Sequence, residues 1–340
     1  MKAVGFTRSL PVSDPDSLRD VDLPVPVATG RDILVSVRAV SVNPVDTKVR
    51  RSALPETGPL RVAGYDAAGV VEAVGEGVNL FAPGDRVFYA GALDRQGSNA
   101  EYQLVDERLV ARMPDSLGFA QAAALPLTAL TAWELLFDRL QVPRDQPGTL
   151  LVIGGAGGVG SVLVQLARKL TRLTVVATAS RPESRDWCLR LGAHHVVDHG
   201  GSLAAAWSAA RTQDGQGLAA PAYVACLTHT DRHWADVAAL VAPQGKVALI
   251  DDPEAIDIRL LKRKSVSLHW EFMFTRSLFV TDDMIAQHRI LTEVANLVDD
   301  GVLATTLAGV AGRITAEDLR QAHARLESGS SIGKLVLEGF

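Results

Sequence analysis

TLLVIGGAGGVGSVLVQLARKL, residues 149–170, is the stretch on which the reading of this chain turns. An apolar run ends in a glycine cluster, and an amphipathic segment follows. Gly155, Gly157 and Gly160 have GxGxxG spacing. The spacing alone is weak, but after a strand and opening a helix it describes a dinucleotide loop. The reason is steric: the first glycine permits a tight turn, the second lets a pyrophosphate approach the backbone, and the third lets helix and strand pack closely. The start of the helix then offers unpaired N–H groups to the phosphates. Gly155, Gly157, Gly158, Val159 and Gly160 are therefore the expected cradle. Residues 150–167 also carry no charge over nearly a bilayer's length, yet they hold five glycines, which suits strand–turn–helix better than a membrane span.

The next strand indicates which dinucleotide. An NAD site commonly places Asp or Glu about 20 residues on, to hold the ribose hydroxyls. Here LTVVATA is followed by Ser180 and Arg181, with no acid until Glu183. A hydroxyl and a guanidinium suit a 2′-phosphate. NADPH is the expected cofactor, the alternative being that Arg181 is a solvated residue at a helix start.

Outward from this loop, LTVVATA, HHVVD, AYVACL and KVALI alternate with helical or loop segments, the pattern of a parallel sheet covered on both faces. Residues 120–137 read as helical with a start or kink at Pro126. The first third is instead β-rich. Residues 33–42 alternate apolar and polar, and residues 68–90 give strands broken at Gly75–Gly77 and Pro83–Gly84. Beyond Ser267 the pattern is irregular around HWEFMF, after which helices are expected over 283–298 and 315–327 and a last strand in GKLVLEGF. At 340 residues two domains are expected. A net charge of −5 gives no electrostatic reason for a nucleic-acid or anionic-membrane partner. Two cysteines, Cys188 and Cys226, without CxxC spacing and a start lacking a signal-like segment point to a cytoplasmic protein without disulfides.

Taken together, VSVNPVDTKVR, GYDAAGVVEAVGEGV, PGDRVF, GSNAEYQLV, AAALPLTALTAW, GGAGGVGS and SGSSIGKLVLEGF resemble the medium-chain dehydrogenase/reductase superfamily across the chain. The similarity is to its zinc-independent quinone oxidoreductase branch, the relatives of zeta-crystallin. The resemblance implies an α/β fold: a GroES-like β-barrel domain from residues 1–126 and 268–340, with a doubly wound parallel-sheet (Rossmann) domain at 127–267. The active site would be the cleft between them.

The same resemblance bears on metal. The zinc-dependent branch takes ligands from a cysteine, the histidine of a GHE motif and a third residue near the interdomain helix. The matching positions here are Asn43, Tyr65 and Thr128, and a catalytic zinc needs three good donors from Cys, His, Asp and Glu. The four-cysteine structural lobe is matched by AGALDRQGSNAEY, which has no cysteine. No metal site is expected. Asn43 would face nicotinamide and substrate, and Thr131, with Thr128 a turn before it, would lie near the nicotinamide ribose. Ser180, Arg181 and His199 would flank the adenosine phosphate, and Thr228 and Thr230 the sheet's carboxyl edge. Lys48, in the loop NPVDTK, would stabilise negative charge on a quinone or enone oxygen, or hold the nicotinamide ribose, or is simply a solvated lysine. Tyr65 would fill the volume of the lost metal site. HWEFMF would form an edge strand pairing across a homodimer. The activity implied is NADPH-dependent reduction of quinones or α,β-unsaturated carbonyls. The alternatives are a zinc-type alcohol dehydrogenase and a non-catalytic, crystallin-like NADPH-binding protein.

Overall fold

Two mostly buried strands and an exposed one between them open the computed structural model, which describes residues 1–52, 59–210 and 215–340. They are β1 (Lys2–Phe6), β2 (Arg19–Asp22) and β3 (Asp32–Ser41); then come helix α1 (Pro44–Arg51), β4 (Arg61–Val62), β5 (Ala67–Val74), β6 (Arg86–Tyr89), β7 (Tyr102–Asp106) and β8 (Val110–Arg112). β1 pairs with β2 and β4 in a small antiparallel sheet. β3 is the spine of a larger one, with Val35 opposite both Val71 of β5 and Gln103 of β7. Val4, Phe6, Ile33, Val35, Val71 and Val87 share one buried core.

The segment NPVDTK is not the loop that the sequence suggests. It forms the first turn of α1, with Pro44 at the first helical position and the Asp46 carboxylate accepting the Asn43 N–H at 2.6 Å. Eight residues with only two valines give too little periodicity to announce a helix.

Helices α2 (Phe119–Ala123) and α3 (Pro126–Trp133) follow, and the chain continues as a π-turn over Glu134–Arg139. By length and composition one helical stretch among the described residues, Phe119–Arg139, could cross a membrane, and most of it is buried inside the protein.

The second unit, Thr131–Met273, is a six-stranded parallel sheet. Its elements are β9 (Pro147–Ile153), α4 (Gly158–Leu170), β10 (Arg172–Thr178), α5 (Pro182–Arg190), β11 (His195–Val197), α6 (Leu203–Ala209), β12 (Tyr223–Cys226), α7 (Thr230–Leu240), β13 (Lys246–Leu249) and β14 (Ser267–Trp270). The order is β11-β10-β9-β12-β13-β14, so the sheet grows in opposite directions from β9. The carboxyl ends of β9 and β12 thereby frame the crevice where such sheets take ligands. Both faces are covered, which is why Leu151, Ile153, Val224 and Val247 sit in short, nearly continuous apolar runs.

The chain then returns to the first unit, Met1–Leu130 with Phe274–Phe340. It adds α8 (Thr275–Leu278), α9 (Ala286–Asp299), β15 (Leu307–Gly312), α10 (Ala316–Glu327) and β16 (Lys334–Glu338). β16 pairs with β3, placing the last strand in the barrel sheet. The unit borders fall a few residues after those expected at 126/127 and 267/268, because β14 completes the parallel sheet before the chain leaves it. The sequence pattern missed β2 and β15: RDVD is an exposed, mostly charged edge, and LAGVAG is interrupted by glycine.

Helix α4 meets β9 and β10 without room for side chains. A Cβ on Gly160 would lie 2.4 Å from the Gly154 carbonyl oxygen, and one on Gly155 would lie 2.7 Å from the Ala177 Cβ. Gly157 is different, since its nearest neighbour would be the Gly154 carbonyl at 3.5 Å. Gly160→Ala should therefore destabilise the protein by about 1–3 kcal/mol, whereas Gly157→Ala should leave the melting temperature nearly unchanged. Thermal denaturation of the two variants checks the contrast.

Candidate active site

The cradle is built at the ends of β9 and β10. Gly154, rather than Gly155, makes the sharp turn, with φ at +85°. Its N–H donates to the Thr178 hydroxyl at 3.0 Å, and the Gly155 N–H donates to the Thr178 carbonyl at 3.2 Å. Gly155 is there because Ala177 packs against its Cα, as the distance above shows. α4 starts at Gly158 with Gly157 as its N-cap, so the N–H groups of Gly158, Val159 and Gly160 have no acceptor within the helix. An open approach at Gly157 beside the positive end of a 13-residue helix suits a pyrophosphate.

Ser180 and Arg181 follow β10 and are exposed. His199 follows β11, and its Nδ1 bonds the Thr178 hydroxyl that also holds Gly154. Thr228, after β12, lies against Gly154: a Cβ there would meet the Thr228 methyl at 2.9 Å. All four follow strand ends at the carboxyl edge of the sheet, where the sequence reading puts Thr228 and has Ser180, Arg181 and His199 flank an adenosine phosphate. Thr230 is a correction. It is fully buried, its N–H and hydroxyl both donate to the Asp251 carboxylate, and it anchors α7 instead of facing a ligand. Thr131 and Thr128 are buried in α3, and the Thr128 hydroxyl donates to the Leu125 carbonyl at 3.0 Å.

In the barrel unit, Asn43, Tyr65 and Asp66 converge with a residue that the sequence reading did not single out, Lys334. Its ammonium donates to the Val42 carbonyl at 2.9 Å, to the Asn43 side-chain oxygen, and to Asp66 Oδ2 at 3.1 Å. Asp66 Oδ2 also accepts from the Ser41 hydroxyl and the Asn43 amide, both at 2.8 Å, and Oδ1 accepts the Leu127 N–H at 2.7 Å. Lys334 is 3% exposed and Asp66 0%. All three protons of the ammonium are used, as is required when a charge leaves water. Asn43, expected to face a substrate, has both ends of its amide engaged here and acts as a spacer between two buried charges. The only signal for Lys334 in the sequence was a lysine inside the apolar strand KLVLE.

Tyr65 is buried, its ring edge-on to Phe274 at 5.4 Å, and the Arg61 guanidinium donates to its hydroxyl at 3.4 Å. Burial holds the phenol above its ordinary pKa, with Arg61 acting in the opposite direction. Beside it, desolvation pushes the buried Asp46 carboxyl up to about 7, although the Asn43 N–H and Lys334 favour its ionised form. Lys48 stands on α1 and is exposed.

This donor set does not fit a zinc ion. A phenol held protonated, an amide bonded to a lysine, and a carboxylate already paired with an ammonium leave no three free donors. Among the described residues no cluster of three His, Cys, Asp or Glu side chains has metal-binding geometry.

Two family models match the chain, an alcohol dehydrogenase GroES-like domain over residues 29–115 and a zinc-binding dehydrogenase over 191–337. A zinc-type alcohol dehydrogenase-like protein of Staphylococcus aureus is 40% identical over 342 residues, covering 99% of each chain. The chain belongs to the medium-chain dehydrogenase/reductase superfamily. Its chemistry is that of an oxidoreductase of this superfamily. The structure of a putative zinc-dependent alcohol dehydrogenase from Rhizobium etli superposes with a TM-score of 0.94 at 56% identity, over 100% of this chain and 98% of that one. Human quinone oxidoreductase is 36% identical over 179 residues, 52% of this chain and 53% of its own. A mycobacterial protein in complex with NADPH superposes with a TM-score of 0.81 at 29% identity, over 99% of this chain and 100% of that one.

The buried network has two measurable consequences. Lys334→Met leaves Asp66 charged and unmatched, and should cost about 3–5 kcal/mol in urea unfolding, part of which Asp66→Asn should restore in the double variant. Asp46 has a folded pKa near 7 against about 3.9 unfolded. The folded state therefore holds that proton more tightly, and stability falls as pH rises from about 4 to about 7. Asp46→Asn should remove this decline, seen as a flatter dependence of melting temperature on pH over that window.

Proposed function

We propose that this chain reduces quinones or α,β-unsaturated carbonyl compounds with NADPH and without a metal ion. The observation that carries the reading is the Lys334–Asn43–Asp66 network, which ties up the Asn43 amide at one of the three positions matched to zinc ligands. Ser180 and Arg181 at the end of β10, with no acid at that point, support NADPH over NADH. The similarity to human quinone oxidoreductase and to the NADPH-bound mycobacterial structure supports the substrate class and the cofactor.

NADPH, when bound, supplies the hydride. The protein's part is to hold cofactor and substrate, exclude water, and stabilise the charge that grows on the carbonyl oxygen. Lys48, exposed on α1, is the cation assigned to that oxygen, and Tyr65 supplies an apolar wall. Lys334 is fully committed to the barrel and has no proton to spare for a substrate. Pairing of two copies along β14 belongs to the same proposal, supported by exposed Trp270 and Phe272 at that sheet edge.

A panel of quinones, enones and alcohols, with NADPH or NADP⁺ oxidation state as readout, tests the reading. Quinone or enone turnover is expected, with Lys48→Met lowering kcat and kcat/KM together by about ten- to a hundredfold. Arg181→Ala should weaken NADPH about ten- to a hundredfold and leave NADH nearly unchanged. Alcohol oxidation dependent on about one chelatable zinc per chain would overturn the metal-free assignment. NADPH binding with no turnover across the panel would instead favour a non-catalytic role.

A further inference from the structure

Beside the groups that the cofactor reading uses, the carboxyl edge of the parallel sheet carries two that it leaves unused, Arg232 and His233. Gly200 packs beside Ser180, its Cβ position lying 3.8 Å from the Ser180 Cβ, and the Asp198 carboxylate pins its N–H at 2.7 Å. On the other side of Gly200, the Arg232 guanidinium donates to its carbonyl at 3.3 Å. One residue on, His233 faces His199 with ring centroids 5.6 Å apart and a tilt of 48°. His199 is in turn tied through the Thr178 hydroxyl to the N–H of Gly154. Ser180 and Arg232 thus flank Gly200, and the two imidazoles lie next to them at His199 and at His233, the residue after Arg232.

We propose that Arg232 and the His199–His233 pair form a second wall of the adenosine-phosphate subsite, taking the 2′-phosphate of NADPH against Ser180 and Arg181 and drawing a proton onto the imidazole pair as it binds. The proposal rests on the NADPH reading and goes beyond it in naming a second cation and a linked proton. Arg232 contributes a permanent charge on α7, in a geometry suited to phosphate oxygens. The imidazoles contribute a conditional one. Desolvation, His233 and Arg232 depress His199, while desolvation, Arg232 and His229 depress His233. Asp198 opposes this at His199, and Asp236 and Asp231 oppose it at His233. Asp251 is already engaged by Thr230. Without the phosphate the pair is therefore neutral near pH 7, and a dianion placed against it favours the protonated form. The consequence reaches the glycine loop, because His199 and Gly154 share the Thr178 hydroxyl.

The experiment is equilibrium binding of NADPH and NADH, by cofactor fluorescence, to the wild type and to Arg232→Ala, His199→Asn and His233→Asn from about pH 6.8 to 8.5, above the second pKa of about 6 of the phosphate itself. In the wild type, NADPH affinity should fall with rising pH and NADH affinity should stay level. Arg232→Ala should weaken NADPH about tenfold with little change for NADH. Either histidine variant should flatten the pH slope for NADPH, with an unchanged melting temperature reporting an intact fold. Calorimetry in buffers of different ionisation enthalpy should show proton uptake with NADPH and none with NADH. If the wild type prefers NADPH, yet Arg232→Ala keeps that preference and both histidine variants keep the wild-type slope, this second wall is wrong while the NADPH reading stands. If the wild type binds both cofactors equally, the NADPH reading fails and the wall fails with it.

Discussion

Lys334 carries a positive charge to a place that water scarcely reaches, and an ion there must be matched on every side or lose its proton. Each match it finds comes from a different part of the barrel unit. Val42 and Asn43 lie at the end of β3 and the cap of α1, and Asp66 just before β5, where it also holds the first turn of α3 through Leu127. A strand 268 residues away along the chain from Asp66 thereby fixes the geometry of the segment that carries Lys48 and Tyr65. An apolar core would pack as well, but it would not fix which oxygen faces which nitrogen. The ion pair does, because its desolvation cost is recovered only in one arrangement.

In the parallel-sheet unit the corresponding constraint is steric. Gly160 and Gly155 bring α4 against β9 and β10 so closely that a methyl group would overlap backbone or Ala177. That contact aims the start of α4 at the crevice and leaves Gly157 open to it. Thr178 then joins three strand ends, since its hydroxyl serves Gly154 of the loop after β9 and His199 of the loop after β11. The glycine loop and the His199 imidazole are therefore parts of one hydrogen-bonded edge.

Much of this was open to reading from local pattern. The strand–glycine–helix stretch, the strand alternation at residues 33–42, and the absence of an acid beside Ser180 and Arg181 all concern neighbours within a turn or two. The reading failed where a short segment depends on its surroundings. The resemblance makes NPVDTK a loop, whereas it opens a helix in which the Asp46 carboxylate accepts the Asn43 N–H, and the little periodicity of Pro44–Arg51 gives no sign of that helix. Thr230 was placed toward a ligand by its position at a strand end, but Asp251 draws it inward.

The sequence by itself determined that a glycine turn joins a strand to α4, because that follows from the size of a Cβ, and the resemblance put Asn43, Tyr65 and Thr128, poor zinc donors, where the zinc-dependent branch has ligands. Which cation belongs to the barrel and which is exposed was decided by tertiary structure. Lys48 and Lys334 have the same side chain, and in sequence Lys48 is the one close to Asn43. The fold instead brings Lys334 to Asn43 from 291 residues away and leaves Lys48 on the surface of α1. Burial and pairing separate the two roles, and both depend on contacts between strands that are distant along the chain.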